Sequence, residues 1–492
     1  MSVGTSMRIA ALVFASLLVV LPEAVRAQLS GGGGFGQGGG GGQQGGGGQG
    51  GQQGGGGQGG RGGQQGGGGS GVLVDTDGVV RTRMLTDKTS QLDKKRRQEL
   101  AGRTLPGDLN TYHPLRKVSL FRLEAACETF AQDGEHVTRD MQYLAGLQRI
   151  DYVFVDPEAR DIVIAGPAEG FVVDGAGRAI GNSTGRPALR LDDLMVALRA
   201  VAAGEGTIGC SIDPTEENLA RFKEYLARTS GTLSPAQAKA KFEKLGTILG
   251  MQTVSLFGVP PESHFAELLV EADIHMKRLA VGVERVPVKG FRSHLALVGA
   301  GENTMQRWWF TPLYDPFARS ADGLAYRLSG QRVQLLAQEE LVSETGKRTN
   351  APFTRASVQK FGKQFTEKFP ELAAAIPAFA ELQSLFDLTV LAALIRQEGL
   401  AKRVGWPMQL FLDPERGSIA PRNVPRQVES LSNHKVIGKS LYVAQVGGGV
   451  TIIPDNVLQG ADYEADSAGE LAAQRDQAMQ AERPQKHLWW WD

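Results

Sequence analysis

A long glycine- and glutamine-rich tract sets the first limit on what this chain can fold into. From Gly31 to Gly71 every residue is glycine or glutamine, except for Phe35, Arg61 and Ser70. A segment with almost no apolar side chains cannot bury enough surface to offset the entropy of ordering its backbone. We therefore predict that residues 28–71 form a flexible, disordered tether. Glutamine amides could instead pair such tracts between chains, but the interspersed glycines favour the tether.

The segment before the tract has the composition of a secretory signal peptide. A basic start at Arg8 is followed by the apolar run Ile9–Leu21 and then by small residues up to Ala27. The run is shorter than the roughly 20 apolar residues that span a bilayer. We predict that residues 1–27 direct export and are removed, which makes the mature protein periplasmic or extracellular. No cysteine follows the cut, so a lipid anchor is not expected.

The remaining chain offers no reason to expect membrane or nucleic-acid binding. The longest later apolar stretch, Ala378–Ile395, is interrupted by Glu381, Gln383 and Asp387, so membrane contact is not expected. Lys and Arg number 53, and Asp and Glu also number 53. General nucleic-acid binding needs a basic surface that displaces counterions from phosphates. We therefore expect an envelope or surface protein or polymer as the partner.

Short apolar segments separated by turns predict β-hairpins in the first part of the chain. Three of them place an Asp-led turn between runs of β-branched residues: VLVDTDGVVR, YVFVDPEARDIVIAG and FVVDGAGRAIG. Such turns connect antiparallel strands. Helical patterns follow, among them LDDLMVALRAVAAG, for which Asp192 is the predicted N-cap. The predicted fold class is α+β, with antiparallel β-hairpins and packed helices.

The later chain changes its pattern twice. Residues 354–400 are helical in pattern, with Pro370 and Pro377 as breaks, and the chain then returns to strands, beginning with MQLFL. The sequence predicts a helical section followed by a C-terminal β-rich section. The predicted division is an α+β domain at 72–345, a helical section at 346–404, a β-rich section at 405–460 and a helical tail at 461–492.

Four segments together carry a resemblance to a known family. The segments are YVFVDPEARDIVIAGPAEGFVV, GRPALRLDDLMVALRA, MKRLAVGVE and RWWFTPLYDPFARSADGLAYRLSG. Over roughly residues 75–400 the chain resembles an uncharacterised family of exported planctomycete proteins, known as a domain of unknown function. The resemblance implies that the helical and sheet segments belong to one evolutionary unit. It brings no catalytic residues.

Three short motifs match catalytic or ligand-binding patterns but lack the required surroundings. Gly181–Gly185 matches the G-x-S-x-G pattern of an esterase, yet no helix follows at once, as a nucleophile elbow requires. The segment 438–440 ends like a phosphate loop, but Asn433 stands where the first glycine belongs. Residues 75–78 resemble half of a calcium loop, but Val79 replaces the next oxygen ligand. We interpret all three as turns or loops; a looser calcium site stays open.

One constellation has the spacing of a metal site. His264, Glu267, Glu271 and His275 follow one another at spacings of three, four and four, which places them on one helix face. Two imidazoles and two carboxylates can bind a divalent transition metal with a further ligand from elsewhere. An amphipathic helix also needs a polar face, so the alternative is that this face is solvated. The sequence favours the solvated face, and no cofactor is expected.

The segment QRWWFTPLY holds the candidate ligand-binding aromatics Trp308, Trp309 and Tyr314. If it is a strand, Trp308 and Trp309 point to opposite faces. One then lies in the core, and the other is a possible stacking platform for a sugar or a peptide. Large aromatic side chains are buried on average, so core packing is favoured.

The two cysteines and the C-terminus leave alternatives open. Cys127 and Cys210 both lie in apolar patterns and are a candidate disulfide, or else two buried thiols that never meet. Trp489, Trp490 and Trp491 follow a polar helix at the C-terminus. Exposed tryptophans forfeit about 2 kcal/mol or more each, so they are expected to dock, within the chain, on a partner or at a lipid interface.

These observations predict an exported, non-catalytic binding or scaffold protein of the cell envelope. The export signal, the tether and the aromatic end support this interpretation, and the sequence contains no recognisable catalytic set. The alternative is a hydrolase of unfamiliar type that uses carboxylates or a metal on the helix from His264 to His275.

Overall fold

A computed structural model describes most of the chain after residue 70. The described residues are 71–74, 80–83, 90–105, 107–229, 235–300, 302, 305–342, 347–350, 354–437, 440–458, 463–480 and 489–492. The predicted signal peptide, almost all of the predicted tether, the half calcium loop and residues 438–439 lie outside them.

The first half of the described chain alternates strands with helices. The strands are β1 (Gly71–Val74), β2 (Val80–Arg83), β3 (His113–Ser119), β4 (Tyr152–Asp156), β5 (Asp161–Ala168), β6 (Phe171–Val173), β7 (Ala179–Gly181), β8 (Ile208–Pro214) and β9 (Met251–Phe257). The helices are α1 (Ser90–Thr104), α2 (Gly107–Asn110), α3 (Leu120–Gln132), α4 (Arg139–Gln142), α5 (Leu191–Ala202), α6 (Glu216–Arg228) and α7 (Pro235–Leu249).

The second half places a group of helices between two groups of strands. Its helices are α8 (His264–Val281), α9 (His294–Leu297), α10 (Ala356–Glu367), α11 (Phe369–Ala375), α12 (Pro377–Gln397), α13 (Leu400–Val404), α14 (Gln409–Leu412), α15 (Pro454–Leu458) and α16 (Glu470–Gln480). Its strands are β10 (Met305–Leu313), β11 (Ala318–Arg319), β12 (Ala325–Arg327), β13 (Arg332–Val342), β14 (Arg348–Asn350), β15 (Gln427–Glu429), β16 (Ser432–Ile437), β17 (Ser440–Ile452), β18 (Glu464–Ala465) and β19 (Trp490–Trp491).

The protein is α+β, as the sequence predicts. The three predicted hairpins are confirmed as the antiparallel pairs β1–β2, β4–β5 and β6–β7. The predicted helical section is also confirmed, since α10, α11 and α12 fill it and each proline lies in the first turn of a helix. Proline is tolerated there because the first turn needs no amide donor.

Two larger sheets organise the described residues. One has the order β14-β13-β10-β17-β8-β9-β15, with β16 also paired to β17, and the other has the order β18-β11-β12-β4-β5-β3-β19. In the first sheet, β17 runs parallel to β10 and antiparallel to β8. Strand β17, from the predicted C-terminal section, therefore lies between strands of the predicted α+β domain.

A layer of helices packs against the first sheet. Helix α8 contacts β8 and β17, and α12 contacts both α5 and α8. Because of these contacts, one hydrophobic core extends from Leu109 to Trp489. The sequence segments on either side of α12 thus share a single core.

Helix α12 is long and apolar enough to meet length and composition criteria for a membrane-spanning helix among the described residues. Its apolar window is completely buried inside the protein. The buried core helix of a globular protein meets the same criteria.

Two local predictions are wrong. The segment MQLFL forms helix α14 rather than a strand, because the buried Glu124 carboxylate accepts the amides of Leu410 and Phe411 at 2.8 and 3.0 Å. A carboxylate at that position stabilises a helix start. Helix α5 begins at Leu191, so Arg190 rather than Asp192 is its N-cap residue, without a side-chain cap.

Candidate functional site

Helix α8 carries all four predicted metal ligands, and the structure buries three of them. His264, Glu271 and His275 are buried, whereas Glu267 is partly exposed. The helix is covered by α5 and α12 on one side and by the first sheet on another. The predicted solvated polar face is therefore wrong, because this face lies inside the protein. Buried charges need partners, and each of the three has one.

The first part of the polar face joins three helices. His264 Nδ1 lies 2.9 Å from Asp193 Oδ2, in the first turn of α5. The other ring nitrogen, Nε2, lies 4.0 Å from Glu381 Oε1 on α12. Asp193 and Glu381 are both buried. His264 thus ties α8 to α5 and α12 through carboxylates.

A buried arginine connects this part to the middle of α8. Arg178, in the turn between β6 and β7, donates from Nε to Glu381 Oε2 at 2.6 Å and from Nη2 to Glu271 Oε2. Burial opposes the charge of Arg178, but the carboxylates of Glu381 and Glu271 outweigh burial and raise its pKa. The pKa of Glu271 is lowered despite burial, because Arg178 and His275 stabilise its anion.

The network continues to the C-terminal half of the helix. His275 Nδ1 lies 2.9 Å from both carboxylate oxygens of Glu284, and Nε2 lies 3.7 Å from Glu271 Oε1. Burial disfavours the imidazolium, but Glu271 and Glu284 overcome it and raise the pKa of His275 to about 9. Arg278 donates from Nε to Glu284 Oε2 at 3.2 Å. We name this series the α8 network: Asp193, His264, Glu381, Arg178, Glu271, His275, Glu284 and Arg278.

The contacts within the α8 network correct the metal hypothesis. His264 and His275 have different nearest carboxylates, Asp193 and Glu284. Their more distant carboxylate neighbours, Glu381 and Glu271, both pair with the cation of Arg178. Within the described part of the chain, no group of three or more His, Cys, Asp or Glu side chains could hold a metal ion. The fourth candidate, Glu267, has Arg422 Nε at 3.9 Å as its neighbour. The spacing on α8 therefore builds alternating ion pairs, not a metal shell.

The candidate aromatic platform lies on strand β10. Trp308 is fully buried and packs edge-on against Phe361, with ring centroids 4.8 Å apart. Trp309 points to the other face and is half-buried, with Nε1 donating to Gln338 Oε1 at 3.2 Å. The Tyr314 hydroxyl donates to Asp387 Oδ1 at 2.7 Å. The opposite orientation of the two tryptophans is confirmed, and Trp308 fills the core rather than holding a ligand.

The structure also shows where the two cysteines and the esterase-like motif lie. Cys127 and Cys210 are both free and buried, so of the two alternatives the structure contains the two buried thiols and not the candidate disulfide. Cys127 lies on helix α3 and Cys210 on strand β8. In the motif at 181–185, the Ser183 and Thr184 amides donate to the Glu169 carboxylate, which holds the loop as predicted.

The tryptophan-rich end docks within the chain. Trp489 and Trp491 are buried, and Trp490 and Trp491 form β19, which pairs antiparallel with β3. Of the three predicted docking places, the chain's own fold is the one that the structure contains. The tryptophans are therefore not free for a partner in this arrangement.

A cavity of about 520 Å³ opens beside helix α5, in a size range that is common for small-molecule sites. Its floor is apolar and buried, and consists of Cys127, Leu191, Met195 and Leu410. The segment from Arg416 to Arg422 forms the opposite wall. The cavity therefore joins α3, α5 and α14.

The polar wall of the cavity contains three arginines and two acids. They are Arg190, Arg416, Arg422, Glu135 and Asp192. Arg190 lies over the ring of Tyr143 at 5.1 Å and donates from Nη1 to the Gly177 carbonyl at 2.9 Å, but its buried Nε has no hydrogen-bond partner. Burial and the neighbouring Asp193 raise the pKa of Asp192. The wall thus favours a negative group.

The cavity and the α8 network meet at α5. Asp192 lines the cavity, and the next residue, Asp193, pairs with His264. On the other side, the backbone amide of Arg422 donates to the Glu262 carbonyl at 2.8 Å, just before α8 begins. The network and this backbone hydrogen bond together anchor the two segments that carry the charged cavity wall.

Sequence reasoning missed most of these residues, although one signal was present. Glu381 and Asp387 interrupt an otherwise apolar helix, and a charged residue at such a position needs a buried partner. The loop arginines Arg178, Arg190 and Arg422 carry no local pattern that distinguishes them from surface arginines. Their partners lie far away along the chain, so spacing could not reveal them.

Comparison with known proteins gives one family match. No curated protein and no solved structure shows significant similarity to this chain. Residues 210–294 match the family described as "Protein of unknown function (DUF1598)". The match covers strand β8 from Cys210 onward, all of β9 and of α8, and the histidines His264 and His275. The chain therefore contains a DUF1598 domain at residues 210–294, which confirms the predicted relation to an uncharacterised domain family.

Proposed function

We propose that the protein is an exported, non-catalytic binding protein of the cell envelope, and that its cavity beside α5 holds a small amphipathic anion. The observation that carries the proposal is the cavity itself, whose apolar floor faces a wall with more arginines than acids. The predicted signal peptide supports export. The predicted tether supports a folded part that is held at a distance from its point of attachment in the envelope.

The floor of the cavity supports a ligand with an apolar body. Leu191, Met195 and Leu410 are buried side chains, and together with Cys127 they present apolar surface to the cavity. Transfer of apolar surface from water to such a floor contributes about 25 cal/mol per Å². A short hydrocarbon chain or a ring fits the volume and gains from it.

The wall supports a carboxylate or phosphate head group. Arginine presents planar donors that match these anions in a bidentate geometry. Arg190 is held in place by the Tyr143 ring and the Gly177 carbonyl, so binding would cost little side-chain entropy.

The chemistry of the lining supports binding rather than covalent catalysis. Burial, with a further contribution from Glu124, raises the pKa of the Cys127 thiol to about 12. A protonated thiol is a poor nucleophile. The alternative, a hydrolase, is favoured by one observation, the buried His264–Asp193 pair directly behind the cavity wall. Such a pair could orient a base, as in other hydrolases.

Calorimetric titration with a graded series of small acids tests the proposal. The series contains straight-chain carboxylates and alkyl phosphates of increasing chain length. Affinity should rise with chain length, and Arg190→Met should weaken binding by roughly 10- to 100-fold, the loss expected for a charge-assisted hydrogen bond. Arg221→Met, at an exposed position on α6 outside the cavity, is the matched control.

A second variant guards against a folding defect. Met195→Phe adds volume to the floor and should exclude the longer ligands while the short ones still bind. Equal affinity for all chain lengths, or unchanged binding by both variants, would refute the proposal. Mass spectrometry of the alkyl phosphates recovered after incubation distinguishes the alternative, since only a hydrolase cleaves their ester bond, and loss of that cleavage in His264→Gln would assign it.

A further inference from the structure

The docked C-terminus occupies a site that contacts its backbone, its tryptophan side chains and its acidic side chain. We call residues 489–492 the tail, and the surface of β3 and α16 that receives it the tail seat. In the seat, Trp490 pairs with Val118 and Trp491 pairs with Lys117. The Ser119 amide also donates to the Trp489 carbonyl at 2.8 Å. The tail therefore adds a strand to the edge of the second sheet.

The seat also recognises the tryptophan side chains. Trp489 joins the main hydrophobic core, and Trp491 packs with Leu471 and Ala478 of α16. The Trp491 Nε1 atom donates to the Ala478 carbonyl at 3.2 Å. Alternate side chains of an added strand enter separate pockets, and this alternation gives such sites their specificity.

A buried arginine forms an ion pair with Asp492 of the tail. Arg116 is 0% exposed, and it donates from Nε and Nη2 to the two Asp492 side-chain oxygens at 2.6 and 2.8 Å. The guanidinium also lies 4.7 Å from the Trp490 ring and donates to the Ala145 carbonyl at 2.8 Å. A buried guanidinium without an anion is strongly unfavourable. The empty seat would therefore favour an aromatic segment followed by an acidic side chain.

We propose that the tail seat also binds the tail of a second copy of this chain, so that copies associate tail to seat. Every copy carries both halves of this contact, and the halves are different surfaces. Two copies that exchange tails form a closed dimer. More copies joined by the same heterologous contact form either a ring or an open filament. Arg116 pairs with Asp492 within one copy, and the tail of a second copy carries the same acidic side chain for this pair.

The short length of the tail strand makes exchange accessible. Strand β19 has two residues and lies at the edge of the sheet, where it pairs with β3, so it can open without unfolding of the other strands. Binding within one chain is favoured at low concentration, because a tethered segment has an effective concentration in the millimolar range. Exchange between copies therefore appears when the protein is concentrated or held close together on a surface.

Two complementary variants test the proposal. The first lacks residues 489–492 and has an intact seat without a tail, and the second, Arg116→Met, has a tail but a seat without its guanidinium. Each alone should be a monomer by light scattering after size exclusion. An equimolar mixture should form a heterodimer, and the full chain should show a dimer fraction that grows with concentration. A mixture that contains only monomers at millimolar chain concentration would overturn the proposal.

A peptide-binding assay tests the same proposal if Arg116→Met does not fold. A labelled peptide HLWWWD should bind the chain that lacks residues 489–492, as measured by fluorescence anisotropy. The matched peptide HLWWWN should bind roughly 10- to 100-fold more weakly, because it loses the charge-assisted pair with Arg116. Absence of binding, or equal binding of the two peptides, would show that the seat does not accept a tail from another copy.

Discussion

Removal of the central cation of the α8 network should destabilise the protein more than removal of a surface arginine. Arg178 is buried between Glu271 and Glu381, with one contact of 2.6 Å to Glu381 Oε2. At a charge separation of about 4 Å and an effective dielectric constant of about 20, each carboxylate attracts the guanidinium by about 4 kcal/mol. The pair of carboxylates therefore contributes about 8 kcal/mol, from which burial of the cation subtracts several kcal/mol.

We expect Arg178→Met to lower the free energy of unfolding by about 3–5 kcal/mol, because it leaves two buried carboxylates without a cation. Urea denaturation followed by tryptophan fluorescence and by circular dichroism measures the loss. The control is Arg221→Met, which removes an exposed pair with Glu217 and should lower the free energy of unfolding by less than about 1 kcal/mol.

The triple variant Arg178→Met, Glu271→Gln, Glu381→Gln separates charge from packing. It leaves no uncompensated charge, so it should recover part of the stability that Arg178→Met alone loses. If Arg178→Met loses no more than Arg221→Met at neutral pH, the network does not stabilise the fold in the way we describe.

Three further perturbations have defined outcomes. The folded-state pKa of His275 is about 9, above its unfolded value near 6.5, so its roughly 3 kcal/mol of stabilisation is complete below about pH 6.5 and is lost as the pH rises through about 9. In urea titrations at a series of pH values, His275→Gln should therefore differ most from the wild type at pH 6, and a constant difference would contradict the assignment. Gly448→Ala places a methyl group 1.9 Å from a backbone carbonyl of the neighbouring strand at a φ of +106°, and it should abolish folded expression, whereas Gly204→Ala, with a φ of +76° and open space, should cost only about 1 kcal/mol. Cys210 should react with a thiol reagent only after unfolding, and native labelling of Cys210 would contradict its burial.

The α8 network explains why a polar stripe on a helix was a misleading signal. The spacing of His264, Glu271 and His275 correctly places them on one face of a helix. The pattern alone cannot show what covers that face. Helices α5 and α12 cover it, and they bring Asp193 and Glu381 as partners. An amphipathic pattern that would be solvated on an outer helix becomes an ion-pair network on an inner one.

Local patterns in the sequence determined much of the secondary structure. The turn residues between β-branched runs predicted the hairpins β4–β5 and β6–β7, and the alternation along β10 placed Trp308 and Trp309 on opposite faces. These features depend on residues within a few positions of one another, where turn chemistry and side-chain period act directly. The same reasoning failed for MQLFL, because Glu124, which holds that segment as α14, lies far from it in the sequence.

The sequence by itself thus determined the α+β class, the helical section and the strand character of the tryptophan pair. The tertiary structure decided which charges became buried partners, where the cavity opened and that the C-terminal tryptophans returned to β3. Arg178 pairs with Glu381, and Arg116 pairs with Asp492. The partners in each pair lie so far apart in the sequence that no local periodicity could have predicted the pairing. Such pairings depend on how helices and sheets pack around one core, because packing alone sets which distant side chains share a low-dielectric space.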